Sequence, residues 1–168
     1  INNNWYYFDK STGARATGFV DLGNKIVYYA NDGRMQYGEQ GINGYWYYFD
    51  KSTGARATGF VDLGNKIVYY ANDGRMQYGE QGINGYWYYF DKSTGARASG
   101  FVDLENKTVY YDANGRMLYG EQYINSYWYY FDKVSGKMQK DTVVDGWYYD
   151  KEGKRQSAHN IVGNPTTT

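Results

Sequence analysis

Short aromatic runs alternate with polar segments closed by glycine along the whole chain. Trp5-Tyr6-Tyr7-Phe8 is followed by Asp9-Lys10-Ser11-Thr12-Gly13, then by Ala14–Thr17 and by Gly18-Phe19-Val20. Val27-Tyr28-Tyr29-Ala30 is followed by Asn31-Asp32-Gly33, then by Arg34–Tyr37 and by Gly38-Glu39-Gln40. Aromatic and β-branched runs have high strand propensity, and polar stretches ending in Gly mark tight turns. Each run therefore predicts a strand, the turn after it a hairpin, and the next segment the returning strand. First strands are expected near 5–8, 26–29, 46–49, 67–70, 87–90, 108–111, 128–131 and 147–149, which gives eight hairpins. Side chains alternate along a strand, so Trp5 and Tyr7 share one face and Tyr6 and Phe8 the other.

The plan recurs with a step of 41 residues between Trp5, Trp46, Trp87 and Trp128. Residues 5–45 and 46–86 are identical, and 87–127 departs at a few places, such as Glu105 for Gly64 and Thr108 for Ile67. A fixed period of this size defines a repeat architecture. One repeat module is expected over 1–158, with double-hairpin units at 5–45, 46–86 and 87–127, a degenerate end at 128–158 and a tail at 159–168. The chain begins inside a repeat and ends in Thr-Thr-Thr, which reads as a segment of a larger parent protein.

Composition sharpens this all-β picture. There are 23 Tyr, 5 Trp and 7 Phe, and aliphatic residues are scarce, so stacked rings must supply the core. Basic and acidic residues balance at 18 each and are interspersed, which argues against nucleic acid and anionic membranes as partners. No apolar run is long enough to span a bilayer. Zero Cys excludes disulfides and thiolate metal sites. His159 is the single histidine and has no nucleophile or carboxylate motif beside it, so neither catalysis nor a cofactor is expected. Turn residues such as Lys10 and Arg34 are expected to be solvated, and Met35, Met76 and Met117 to fill gaps in the core or to wall a cage.

The recurring aromatic-Tyr-Tyr, polar turn, Gly, Met or Arg, and Gly-aromatic elements resemble the cell-wall-binding repeats of Gram-positive surface proteins. That family includes choline-binding modules of pneumococcal lysins, glucan-binding domains of glucansucrases and receptor-binding repeats of clostridial toxins. The resemblance implies a β-hairpin solenoid with roughly three hairpins per turn, ligands between consecutive hairpins and no catalytic activity. It also implies a secreted or cell-surface location and a cell-wall polysaccharide or glucan as partner. In the choline variant, the Trp of a Gly-Trp pair and the Trp of the next Trp-Tyr-Tyr run close an aromatic cage. Here those positions hold Phe19, Phe60 and Phe101 before Val27, Val68 and Val109, and Glu39, Glu80 and Glu121 before Trp46, Trp87 and Trp128. No such junction carries both tryptophans, which places choline second and glucan first.

A sugar needs one flat ring against its C–H face and a few polar groups for its hydroxyls. The junction Tyr37, Glu39, Gln40, Asn43, Trp46 offers both. It recurs as Tyr78, Glu80, Gln81, Asn84, Trp87 and as Tyr119, Glu121, Gln122, Asn125, Trp128. These are the candidate ligand residues. The competing reading of the whole chain is a structural spacer or self-association element whose grooves serve only packing.

Overall fold

A computed structural model describes residues 1–157; the tail expected over 159–168, with His159, lies outside the described residues. Among the described residues there is no helix, and fourteen strands form seven antiparallel hairpins. They are β1 (Gly18–Asp21) with β2 (Ile26–Tyr29), β3 (Gly38–Ile42) with β4 (Tyr45–Phe49), and β5 (Gly59–Asp62) with β6 (Ile67–Tyr70). Then come β7 (Gly79–Ile83) with β8 (Tyr86–Phe90), β9 (Gly100–Leu104) with β10 (Lys107–Tyr111), and β11 (Gly120–Ile124) with β12 (Tyr127–Phe131). The last pair is β13 (Thr142–Val144) with β14 (Trp147–Tyr149).

Every expected first strand except 5–8 is present, but its ladder runs to the segment before it. In the second hairpin Gly38 pairs with Phe49 and Ile42 with Tyr45. The two residues between them, Asn43 (φ 53°) and Gly44 (φ 80°), both lie in the left-handed region. That is the signature of a type I′ turn, whose twist matches the flanking strands. The segments expected to return after the aromatic run make only single bridges, such as Phe49 to Arg56 and Tyr70 to Met76. The count is therefore seven and not eight. Trp5–Phe8 contributes only the bridge from Phe8 to Arg15, because Ile1–Asn4 form a turn and no partner strand.

Contacts divide the chain into two units. The first comprises Ile1–Gly79 and Phe90–Arg97, the second Glu80–Tyr89 and the chain from Ala98 onward. In the first, buried Val68, Tyr70 and Met76 pack with Tyr48, Ala57, Val61, Leu63 and Tyr78. Phe19 fills the space between Tyr28 (5.0 Å, edge-on) and Tyr47 (5.1 Å, edge-on). In the second unit, buried Val109, Tyr111 and Met117 pack with Tyr89, Ala98, Val102, Leu104 and Tyr119. Rings thus do the work that aliphatic side chains do elsewhere, and edge-to-face pairs add to their area burial.

Successive hairpins are laced by one backbone bond. The segment after each aromatic strand donates to the start of the previous aromatic run: Met35 N to Trp5 O (3.0 Å), Arg56 N to Ile26 O (2.7 Å), Met76 N to Trp46 O (2.9 Å). The second unit repeats this with Met117 N to Trp87 O (2.9 Å) and Arg155 N to Trp128 O (2.8 Å). This bond carries Met35, Met76, Met117 and Arg155 to the foot of a tryptophan one hairpin away, whereas Met138 is carried to Thr108.

Candidate functional site

Alternation along β4 exposes Trp46 (49%) while Tyr47 and Phe49 are buried. Trp46 borders a cavity of about 240 Å³ lined by Glu39, Lys66, Met76, Tyr78, Ser93 and Thr94. The turn Asp91–Gly95 closes one side. The Asp91 carboxylate holds it by accepting from the Ser93 and Thr94 amides (3.0 and 2.8 Å) and hydroxyls (2.6 and 2.9 Å). Gly95 (φ 70°) allows the turn to sit on Met76, because a Cβ there would strike the Met76 sulfur. Lys66 then donates to the Thr94 carbonyl (2.8 Å) and pairs with Glu39 (3.4 Å). The groove therefore offers a half-exposed indole face, a thioether, a tyrosine, and an ammonium beside a carboxylate.

The second unit contains the same groove one period on, about 180 Å³, lined by Glu80, Trp87, Lys107, Met117, Tyr119, Val134 and Ser135. Lys107 pairs with Glu80 at 2.8 Å and donates to the Ser135 carbonyl at 3.2 Å. Near the N-terminus an incomplete version, about 560 Å³, has Trp5, Lys25, Met35 and Tyr37 but no carboxylate among its lining residues. Lys25 there donates to the Thr53 carbonyl at 2.6 Å. The carboxylates reach further than their ion pairs. Burial first, then Glu39, raises the Tyr70 and Tyr78 hydroxyl pKa values, and burial with Glu80 does the same at Tyr111 and Tyr119.

These grooves regroup the residues expected from the sequence. Glu39 and Trp46 share one, as do Glu80 and Trp87. Tyr37 lines the groove of Trp5, not that of Trp46; Tyr78 joins Trp46 and Tyr119 joins Trp87. Gln40 and Gln122 bind backbone: their side-chain amides donate to the Tyr37 and Tyr119 carbonyls (2.8 and 2.7 Å). Gln81 holds the same half-buried place in β7 that Gln40 holds in β3. Asn43, Asn84 and Asn125 are the left-handed residues of the hairpin turns, at φ 53°, 51° and 49°. Arg34 is exposed, as expected, and pairs with Asp32 at 3.5 Å, while its counterpart Arg75 lies over Tyr45 at 3.9 Å.

Glu121 and Trp128 meet in a different setting. Arg155 stands 2.9 Å from Glu121, with its guanidinium 5.0 Å from the Trp128 ring centre and 4.2 Å from that of Trp147. The Tyr149 hydroxyl also donates to Glu121 at 3.0 Å. Tyr123, which replaces the glycine found at 41 and 82, packs on Trp128 at 5.2 Å. Lys66, Lys107, Arg155 and Trp147 were absent from the sequence-derived site. The lysines carry one signal, recurrence of Lys25, Lys66 and Lys107 at the repeat step of 41 residues.

Serial aromatic hairpins with a recurring, open, ring-lined groove define a repeat module built to bind. The chain belongs to the choline-binding repeat family, whose profile matches residues 16–59, 57–100 and 98–147. A putative cell wall binding repeat matches residues 1–14. No curated protein matches. Among solved structures, choline binding protein F from Streptococcus pneumoniae is 32% identical, with a TM-score of 0.84 over 92% of this chain and 55% of its own. CbpJ from Streptococcus pneumoniae is also 32% identical, with a TM-score of 0.87 over 93% of this chain and 56% of its own. The chain thus spans little more than half of either. The choline-binding domain of CbpL from the same organism is 25% identical, with a TM-score of 0.69 over 93% of this chain and 84% of its own.

Proposed function

We propose that the chain is a non-catalytic module that holds a larger, extracellular protein on a bacterial cell-wall polymer. The observation that carries this is the groove itself, with Trp, Met, Tyr and a Lys–Glu pair, recurring at Trp46 and Trp87 one repeat apart. An exposed indole stacks on the C–H face of a sugar ring, and an adjacent ammonium and carboxylate donate to and accept from neighbouring hydroxyls. A wall carbohydrate fits that set. Membership of the choline-binding repeats favours a second reading, in which the grooves take choline; the Lys66 and Lys107 ammonium groups oppose it by like-charge repulsion. One shallow groove binds weakly, but sites at fixed spacing on one polymer raise avidity by ~10²–10⁴.

The test is retention on purified Gram-positive walls, with elution by choline in one arm and by soluble dextran in another. Trp46→Ala should weaken retention, and Trp46→Ala with Trp87→Ala should weaken it further while the far-UV spectrum is unchanged. A folded double variant retained like the parent would refute the assignment of these grooves. Elution by choline alone would select the second reading.

A further inference from the structure

Glu39, Glu80 and Glu121 hold one position, the second residue of β3, β7 and β11. Each has a tyrosine partner position in the hairpin that follows. Tyr70, Tyr111 and Tyr149 are equivalent there, since each bridges to the residue that laces to a tryptophan: Met76, Met117 or Arg155. One Glu121 oxygen accepts from the Tyr149 hydroxyl at 3.0 Å and from Arg155 at 2.9 Å. Glu39 and Glu80 are turned to Lys66 (3.4 Å) and Lys107 (2.8 Å) instead. The hydroxyls of the fully buried Tyr70 and Tyr111 then have no partner among the described residues. Burial first, then Glu39 and Glu80, raises the pKa values of these two tyrosines, so each carboxylate acts on its hydroxyl through space.

An unpaired buried hydroxyl bears a full desolvation penalty, whereas a partly exposed ion pair contributes little. Moving the carboxylate from lysine to tyrosine therefore exchanges a weak contact for a strong one. What opposes the move is the lysine left without a counter-ion, and an anion from outside removes that opposition. We propose that the Trp46 and Trp87 grooves take a sugar bearing an oxyanion, which replaces Glu39 on Lys66 or Glu80 on Lys107 while the displaced carboxylate turns to the Tyr70 or Tyr111 hydroxyl. This rests on the carbohydrate reading of those grooves. Each ammonium also donates to a carbonyl, of Thr94 (2.8 Å) or Ser135 (3.2 Å), so it stays on the groove wall when the carboxylate leaves. Glu121 takes no part, because it already holds both Tyr149 and Arg155. Tyr70 and Tyr111 are positioning residues: they touch no ligand and set the charge of the one that enters.

The test follows the indole N–H signals of Trp46 and Trp87 by NMR during titration with sodium glucuronate, glucose 6-phosphate or glucose at one ionic strength. An oxyanion is expected to bind about tenfold more tightly than glucose, as one charge-assisted contact implies. Preference for glucuronate alone identifies a carboxylate ligand, and preference for the phosphate ester alone a phosphate. Tyr70→Phe combined with Tyr111→Phe is expected to remove the preference without lowering the urea midpoint. In a Glu39→Gln, Glu80→Gln background no carboxylate needs a new partner, and the same phenylalanine pair is expected to leave the preference in place. Lys66→Gln with Lys107→Gln is expected to abolish it. Equal binding of all three sugars by the natural chain would overturn the proposal, as would a folded phenylalanine pair that keeps the preference. If binding is equal while Trp46→Ala and Trp87→Ala still weaken wall retention, only the oxyanion exchange fails and the carbohydrate reading stands.

Discussion

The grooves at Trp87 and Trp128 lie in the same unit on nearly the same backbone, and they solve one electrostatic problem in two ways. Each has a carboxylate next to an indole. At Trp87 the cation for Glu80 comes from Lys107, at the start of β10, and the indole is 49% exposed. At Trp128 it comes from Arg155, beyond β14, and the indole is 39% exposed, under Tyr123 and the guanidinium. The hydroxyl of Tyr111 is buried with no partner among the described residues, whereas its counterpart Tyr149 donates to Glu121. What stays constant is the carboxylate with a cation of the chain's own. The source of that cation decides whether the ring face remains open.

Three measurements probe this difference. The largest effect belongs to Tyr111→Ala, which should cost about 3–5 kcal/mol in urea unfolding, as for a buried aromatic truncated among packed neighbours. Tyr149→Ala should cost less, since the β13–β14 ladder pairs three residues where β9–β10 pairs five. Equal costs would show that the shorter hairpin is as tightly built as the longer one. Next come the phenylalanine variants. Tyr149→Phe removes a bond to a partly exposed carboxylate and should cost about 1 kcal/mol, whereas Tyr111→Phe removes an unpaired buried hydroxyl and should be neutral or stabilising. A stabilised Tyr149→Phe variant would mean that the Glu121 contact adds nothing.

The smallest effect concerns the turns that close the grooves. Asp91 accepts four hydrogen bonds, from the amides and hydroxyls of Ser93 and Thr94. Asp132 accepts three, from the amides of Val134 and Ser135 and the Ser135 hydroxyl. Both carboxyls are held below the ordinary range by these bonds, led by the Ser93 hydroxyl at Asp91 and the Ser135 amide at Asp132. Asp9, in the equivalent turn near the N-terminus, is lowered to about 2. A carboxyl depressed in the folded state stabilises above its unfolded pKa, and that stability is lost as pH falls through the folded value. The urea midpoint should therefore fall as pH drops below the ordinary carboxylate range. Asp91→Asn should flatten that fall more than Asp132→Asn. An unchanged acid slope in both variants would show that the turn bonds are not the source.

Much of the fold was legible because the aromatic runs announce their strands; Ile26–Tyr29, Ile67–Tyr70 and Trp147–Tyr149 lie where propensity put them. The strands paired with β4 and β8 were hidden. Gly38-Glu39-Gln40-Gly41-Ile42 has low strand propensity and is extended because a turn and a partner make it so. The clue is Asn43-Gly44, a strong hairpin signal, masked because the Asn43 amide also suits a ligand hydroxyl. The site was legible at Glu39 and Trp46, which are neighbours across one hairpin. Its other wall was not. Tyr37 and Tyr78 have identical surroundings in the sequence, so nothing local says which copy faces Trp46. Only the lacing bond from Met76 to Trp46 decides it. Arg155 was hidden for another reason, since it acts through a position held by methionine in the earlier copies.

That lacing bond also bears on how such a chain changes length. A groove is owned by a junction, not by a repeat: Trp46, Lys66, Met76 and Tyr78 need Glu39 from the copy upstream and Ser93 and Thr94 from the copy downstream. Because 5–45 and 46–86 are identical, unequal crossing-over between them inserts or deletes one period in frame and recreates the same junction on either side of the seam. The product gains or loses one whole groove and never half of one. Valency in this architecture is therefore a genetic dial with integer stops.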